Sequence, residues 1–296
     1  MAPKSIYMRI FTLISEPSSL ILYVDLFKIY KIFAHFFKSV SISTKELKYM
    51  VIKAGMLAFE VTRRCNENCL HCCKGKAKSI DMTKEVIDKV LKSPNYKIKE
   101  MKYLSIAEGE PTLVPDIVSY LIDTIIEENV SITSNINFIT NGLIYSDKII
   151  NALDRLMTYL KNKENCKDTR LVFEISNDQF HKRPSKEVLD KYRKLPYIDK
   201  SFFEPREIPK ERILNDGNAK ENGVGGNRTY KNYLSSIDIK LDRDTLTIKN
   251  ELIITSNGNV TSTVGGPYKD EDENSWGNLN NKDFDMIILN KMKSVV

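Results

Sequence analysis

The chain has little of what would place it outside the ordinary globular class. Of 296 residues only 12 are glycine and 10 proline, which excludes a collagen-like or Pro/Gly-rich disordered chain. No nearly uninterrupted apolar run of about 20 residues occurs, so a polytopic membrane protein is excluded. Met1 to Ser19 lacks a basic region followed by a clean apolar run and a small-residue cleavage site, the marks of a secretory signal. Internal repeats and low-complexity tracts are absent. No stretch interleaves aromatic with basic residues, so nucleic acid is not an expected partner. The charge balance, 45 Lys+Arg against 39 Asp+Glu, leaves a mild +6 scattered along the chain. Cysteine is scarce everywhere but one place: four of five fall in Cys65–Cys73, and Cys166 stands alone. A disulfide scaffold would spread them to staple distant loops. The clustering points instead to a metal centre in a reducing compartment, and a cytoplasmic location is expected.

What is present begins with 42% hydrophobic and 28% charged residues, enough for a real core. Leu20–Phe37 reads as an amphipathic helix, with Asp25, Lys28, Lys31 and His35 on one polar stripe. It either packs on the main domain or serves as a peripheral membrane or partner-docking helix. From Ala58 strands and helices alternate. Strands are predicted at Ala58–Thr62, Met101–Ala107, Ile132–Thr140, Leu171–Ser176 and Lys200–Glu204. Helices are predicted at Thr83–Leu91, Val114–Glu128, Ser146–Leu160 and Pro184–Lys194. This alternation argues for a parallel sheet with helices outside, a closed or partly closed barrel with its site at the C-terminal strand ends. Asp216–Asn227, rich in Gly and Asn, should be a loop. Asn257-Gly258 between Leu246–Ile254 and Val260–Val264 signals a hairpin. Gly265–Ser275 reads as an acidic loop and Asp283–Met292 as a terminal helix.

The chemistry sits in Cys65-Asn-Glu-Asn-Cys69-Leu-His-Cys72-Cys73. Cys65, Cys69 and Cys72, separated by three and then two residues, can wrap three thiolates around one corner of an iron–sulfur cubane. Three ligands leave one iron open to chelate a substrate or cofactor. Zinc is the competing reading, with His71 or Cys73 as fourth ligand, although no second Cys/His pair follows downstream. Cys73 reads as a bystander and Cys166 as a lone packing or surface thiol.

Phe59-Glu60-Val61-Thr62 followed by Cys65…Cys69…Cys72 resembles the opening of the radical S-adenosylmethionine (radical SAM) superfamily. Glu108-Gly109-Glu110-Pro111 is similar to its GGEP motif, with Glu108 in place of the first glycine. Asn141-Gly142 resembles its TNG segment, and Ile175-Ser176-Asn177-Asp178-Gln179-Phe180-His181 a common ending of its fourth strand. The resemblance covers roughly residues 58–214. It implies an α/β fold, a partial (β/α)6 TIM-like barrel. Three parts are then expected: an N-terminal helical extension at 1–54, the barrel core at 55–215, and a C-terminal loop, hairpin and helix at 216–296.

The resemblance also implies an enzyme with a [4Fe–4S] cluster and S-adenosylmethionine as cofactors. Reductive cleavage of S-adenosylmethionine at the cluster would give a 5′-deoxyadenosyl radical that abstracts hydrogen from a substrate. Cys65, Cys69 and Cys72 would ligate the cluster. Gly109 and Glu110 would receive the cofactor's ammonium, Ser176 and Asp178 its ribose, and Asn141 would lie on the same rim. Asp178 and His181 could instead face the substrate, and each of these residues could equally be a strand-end cap. An electron donor such as flavodoxin or ferredoxin is implied. Leu252–Thr263 with Trp276-Gly277-Asn278-Leu279 is similar to the opening of a SPASM/twitch extension. Thr261, Ser262 and Thr263 stand where its cysteines would be. That echo favours a peptide or protein substrate, with a small molecule as the next choice. The reading from another class is a non-catalytic zinc-binding or scaffold protein.

Overall fold

The computed structural model describes residues 49–233, 239–242, 244–262 and 266–294. The amphipathic segment at 20–37, and with it the expected docking helix, lies outside the described residues.

Four strands run parallel in the order of the chain: β1 (Met50–Glu60), β2 (Tyr96–Ala107), β3 (Ser131–Thr140) and β4 (Arg170–Ile175). Each is followed by a helix: α1 (Lys84–Leu91), α2 (Pro115–Glu127), α3 (Asp147–Lys161) and α4 (Lys186–Tyr192). The starts of these helices are written in the sequence. The side chains of Thr83, Ser146 and Ser185 accept hydrogen bonds from Val86, Ile149 and Val188 N–H groups, and Pro115 opens α2. The apolar stripes of α1 to α3 close over the sheet, burying Val86, Ile87, Leu121, Ile125, Leu153 and Leu156. Phe138 and Phe173 stack across β3 and β4 with ring centroids 5.0 Å apart. Each such fully buried side chain contributes about 1.5–3 kcal/mol to the folded state.

The fold is therefore mixed α/β with a parallel sheet, as expected, and the sheet is open. Three details differ from the sequence reading. First, β1 begins at Met50, so the boundary expected after residue 54 falls inside a strand. Second, Lys200–Phe203 is a 3-10 turn and not a fifth strand. Asp199 caps it by accepting from the Ser201 N–H, and Pro205 ends it. Third, the C-terminal hairpin is not an appendage. Its first arm, β6 (Thr245–Ile254), lies parallel against β1 from Val51↔Thr245 to Phe59↔Ile254. β5 (Ile239–Asp242) and β7 (Asn259–Thr261) pair with its far edge, and β8 (Gly277–Asn278) follows β7. Segment 216–296 thus supplies strands to the main sheet. Within the expected loop 216–227 a short helix forms, α5 (Gly217–Glu221), and α6 (Phe284–Lys293) ends the described chain. No helix among the described residues is long and apolar enough to cross a membrane.

Candidate cofactor site

A cavity of about 370 Å³ opens over the C-terminal ends of β1 to β4, within the range of about 300–1,000 Å³ usual for ligand pockets. Cys65, Cys69 and Cys72 line it from the loop that follows β1. Gly109, Asn141 and Ser176 line it from the ends of β2, β3 and β4. The topology brings these together because parallel strands deliver all their C-terminal ends to one edge.

Gly109 is required where it stands. Its φ is +57°, and a Cβ would come within 2.3 Å of Thr62 O and 2.7 Å of Arg64 O. The end of β2 crosses directly under the start of the cysteine loop, and Glu110 N donates to Arg64 O at 2.8 Å.

Glu110 itself is fully buried and does not line the cavity, contrary to the role expected for it. Oε1 accepts from Thr112 N (3.0 Å), Thr112 Oγ1 (2.6 Å) and Thr140 Oγ1 (2.7 Å), and Oε2 from Asn141 N (2.7 Å). Four donors hold this carboxylate as a brace between the ends of β2 and β3. Asn141 carries the brace onward. Its Nδ2 donates to Asn66 Oδ1 at 2.7 Å, inside the cysteine loop.

Asp178 also faces elsewhere than expected. It is buried, and Oδ1 accepts from Phe180 N and meets His181 Nδ1, both at 2.9 Å. A carboxylate can only accept, so Nδ1 of His181 carries the hydrogen and Nε2 is left as the free nitrogen. His181 lines the cavity; Asp178 stands behind it. His71 stacks on Phe180 at 4.5 Å and meets His181 edge-on at 5.1 Å. Burial, then the neighbouring His181, holds the His71 pKa below its usual value.

The wall nearest β1 and β6 is ionic, and sequence reasoning passed over it. Arg63, almost fully buried, donates from Nε to Glu60 Oε1 (2.7 Å) and from the guanidinium to Asn257 Oδ1 (3.0 Å) and Glu271. Its guanidinium carbon lies 4.4 Å from the centre of the Tyr268 ring. Lys74 pairs with Glu108 at 2.9 Å. Arg63, Lys74, Glu108 and Tyr268 all line the cavity. Glu108 has φ +73°, the left-handed region that costs a non-glycine residue about 1 kcal/mol or more. Burial first, then the Glu108 charge, pushes the Glu60 pKa up to about 7. Ser256 N and Oγ donate to Glu60 Oε1, whereas Oε2 meets no donor. The contact of Glu60 with the Glu108 carboxyl is therefore a hydrogen bond only when a proton is held between them. Glu60, closing the apolar run Met56–Phe59, and Arg63 three residues on were the available sequence signal for this network.

The thiol set fits an iron–sulfur cluster better than a single ion. Burial raises the Cys65 thiol, and burial followed by the Glu67 charge pushes Cys69 to about 12. Such thiols stay protonated until a metal displaces the proton. Among the described residues, the groups with ligand atoms all within 4.8 Å of one another are Glu67–Cys69–His181 and His71–Asp178–His181. The three loop thiols do not form such a group. Tetrahedral zinc, with Zn–S of about 2.3 Å, would bring its sulfurs to about 3.8 Å. Thiolates on different irons of a cubane stand farther apart.

Fold and site together define a class: an α/β protein with a thiol-rich loop over a ligand cavity at the ends of parallel strands. Residues 59–161 match the model of the Radical SAM superfamily. Those residues form a radical SAM domain, the catalytic domain of enzymes whose cofactors are a [4Fe–4S] cluster and S-adenosylmethionine. No curated protein matches the chain. Among solved structures it is similar to BtrN in complex with AdoMet and 2-DOIA, at 15% identity and TM-score 0.44, covering 79% of this chain and 81% of that one. It is similar to anSMEcpe with bound AdoMet and Cp18Cys peptide, at 15% identity and TM-score 0.41, covering 80% of each chain. SuiB from Streptococcus suis, bound to precursor peptide SuiA, aligns at 13% identity and TM-score 0.39, covering 78% of this chain and 63% of that one. With TM-scores below 0.5, these likenesses carry no weight in assigning the site.

Proposed function

We propose that this chain is a single-cluster radical SAM enzyme acting on a peptide or protein. In this reading Cys65, Cys69 and Cys72 hold the cluster, and S-adenosylmethionine lies in the cavity along the ends of β2 to β4. The observation that carries it is the set of three loop thiols lining one cavity with the ends of three parallel strands, spaced too widely for one tetrahedral ion. When bound, the cluster held by Cys65, Cys69 and Cys72 would supply the electron for reductive cleavage of S-adenosylmethionine and so the means of abstracting hydrogen from a substrate. The protein's own residues bind, orient and keep water out. Gly109 lets backbone approach the cofactor closely, Ser176 offers a hydroxyl at the opposite end, and Asn141 ties the cavity rim to the cysteine loop. No cysteine follows Cys166, so this chain cannot ligate a second cysteine-held cluster in its C-terminal third. The peptide preference rests on the SPASM/twitch-like sequence of that third. A flavodoxin- or ferredoxin-type protein would deliver the electron.

Anaerobic reconstitution with iron and sulfide should give a broad blue-region absorbance that dithionite bleaches, and added S-adenosylmethionine should yield 5′-deoxyadenosine. Cys69→Ala should abolish both. Stoichiometric zinc with no cleavage of S-adenosylmethionine would refute the enzyme reading; a full cluster retained in Cys69→Ala would refute the ligand set.

A further inference from the structure

The cysteine loop is gripped from outside by a segment about 150 residues away in the chain. Asn218, in α5, is buried and lines the cavity. Its backbone N donates to Cys72 O at 2.9 Å. Its Nδ2 donates to Cys69 O at 3.2 Å and to Asn68 Oδ1 at 3.3 Å. Asn222 Nδ2 adds a bond to Leu70 O at 3.4 Å. The approach is as close as backbone allows: Gly217 has φ +51°, and a Cβ there would lie 2.4 Å from Cys73 O. The gripping segment is itself anchored, because Asp216 Oδ2 accepts from Tyr230 N at 2.6 Å and Asn215 N donates to Arg228 O at 2.7 Å.

A loop of this kind carries a problem of its own. Three thiolates must stand at the spacing a cluster imposes, and an unheld nine-residue loop samples many others. Within the loop, only Cys72 N→Cys69 O (3.2 Å) and Gly75 N→Cys72 O (3.3 Å) close turns around the two later thiols. Asn218 ties both of those carbonyls to one side chain and one backbone amide.

We propose that Asn218 is a positioning residue for the cluster-binding loop, fixing the spacing of Cys69 and Cys72 so that cluster binding and the ordering of 217–222 stabilise each other. This rests on the cluster assignment made above. The coupling is reciprocal by linkage: whatever α5 adds to cluster affinity, the cluster adds to the stability of α5.

The test uses the reconstituted holoprotein. In Asn218→Asp both side-chain donors are lost and a carboxylate faces two carbonyl-type oxygens. Iron should pass to a ferrous chelator about tenfold faster or more than from the unsubstituted protein. The electron paramagnetic resonance signal of the reduced cluster should change shape, while Lys220→Ala, on the exposed side of the same helix, changes neither. In the unsubstituted protein, hydrogen exchange at 217–222 should slow when the cluster is loaded. Iron release at the unsubstituted rate from Asn218→Asp, or exchange at 217–222 indifferent to loading, would overturn the proposal. Should Asn218→Asp fail to fold, the exchange comparison decides alone. Iron and sulfide analysis keeps the two readings apart. A protein that takes up no cluster refutes the functional reading; a full cluster with unchanged exchange refutes only the role of Asn218.

Discussion

The two flanks of the cavity hold the same loop by different physics. On the β2–β3 side one carboxylate, Glu110, is surrounded by four donors and carries no ionic partner of its own among them. On the β1–β6 side Glu60, Glu108 and Glu271 are set against Arg63 and Lys74, and burial with the Glu108 charge raises the Glu60 pKa to about 7. The first flank is a brace built of hydrogen bonds from neutral donors. The second is a balance of buried charges, in which removing the Arg63 cation strands Glu60 and Glu271. The comparison shows why Glu110 could be replaced by no neutral group of the same shape without losing a donor match. It also shows why Glu60 could be.

The sharpest way to break the ionic flank is Arg63→Met. It should destabilise the apoprotein by about 3–5 kcal/mol, because Glu60 and Glu271 are left buried without their cation; denaturant unfolding measures it. On the other flank Glu110→Gln should cost about 1.5–3 kcal/mol, since an amide N–H₂ must then face a backbone N–H at Asn141 or Thr112. The third prediction separates the flanks by pH. The Glu60 pKa is raised from 4.5 to about 7 in the folded state, so the folded protein binds a proton more tightly than the unfolded chain. The stability this contributes is fully present below about pH 4.5 and is lost as pH rises through 7. Glu60→Gln, with an amide that can donate to Glu108 as the protonated acid does, should remove that slope. Relative to the unsubstituted protein it should gain about 2 kcal/mol between pH 5 and 8, read from unfolding curves at several pH values. A difference between the two proteins that stays constant across that range would mean no proton is held there.

Much of the fold was legible because its signals are local. The caps at Thr83, Ser146 and Ser185, the apolar stripes and the spacing of Cys65, Cys69 and Cys72 all lie within a few residues of what they specify. What was not legible depended on partners far along the chain. Met50-Val-Ile-Lys-Ala-Gly does not alternate and reads poorly as a strand, yet β6 pairs with it and makes it one. Lys200–Glu204 has strand-like residues, but the Asp199 cap winds Lys200–Phe203 into a 3-10 turn. In the site, the identity of Glu110 and Asp178 drew attention to them, while their direction depended on Thr112 and Thr140 in one case and His181 in the other. Asn218 sat in a stretch whose Gly/Asn content announced only a turn. Nothing local ties it to Cys69.

The pairing of Val51 with Thr245 has a consequence for biosynthesis. A chain emerging from the ribosome can assemble β1 to β4 and their helices while the outer edge of β1 is still bare. Until some two hundred further residues have been made, that edge exposes unpaired amides to any other strand in the cell. The cysteine loop lacks Asn218 for most of that interval, and Glu271 is made only after β6.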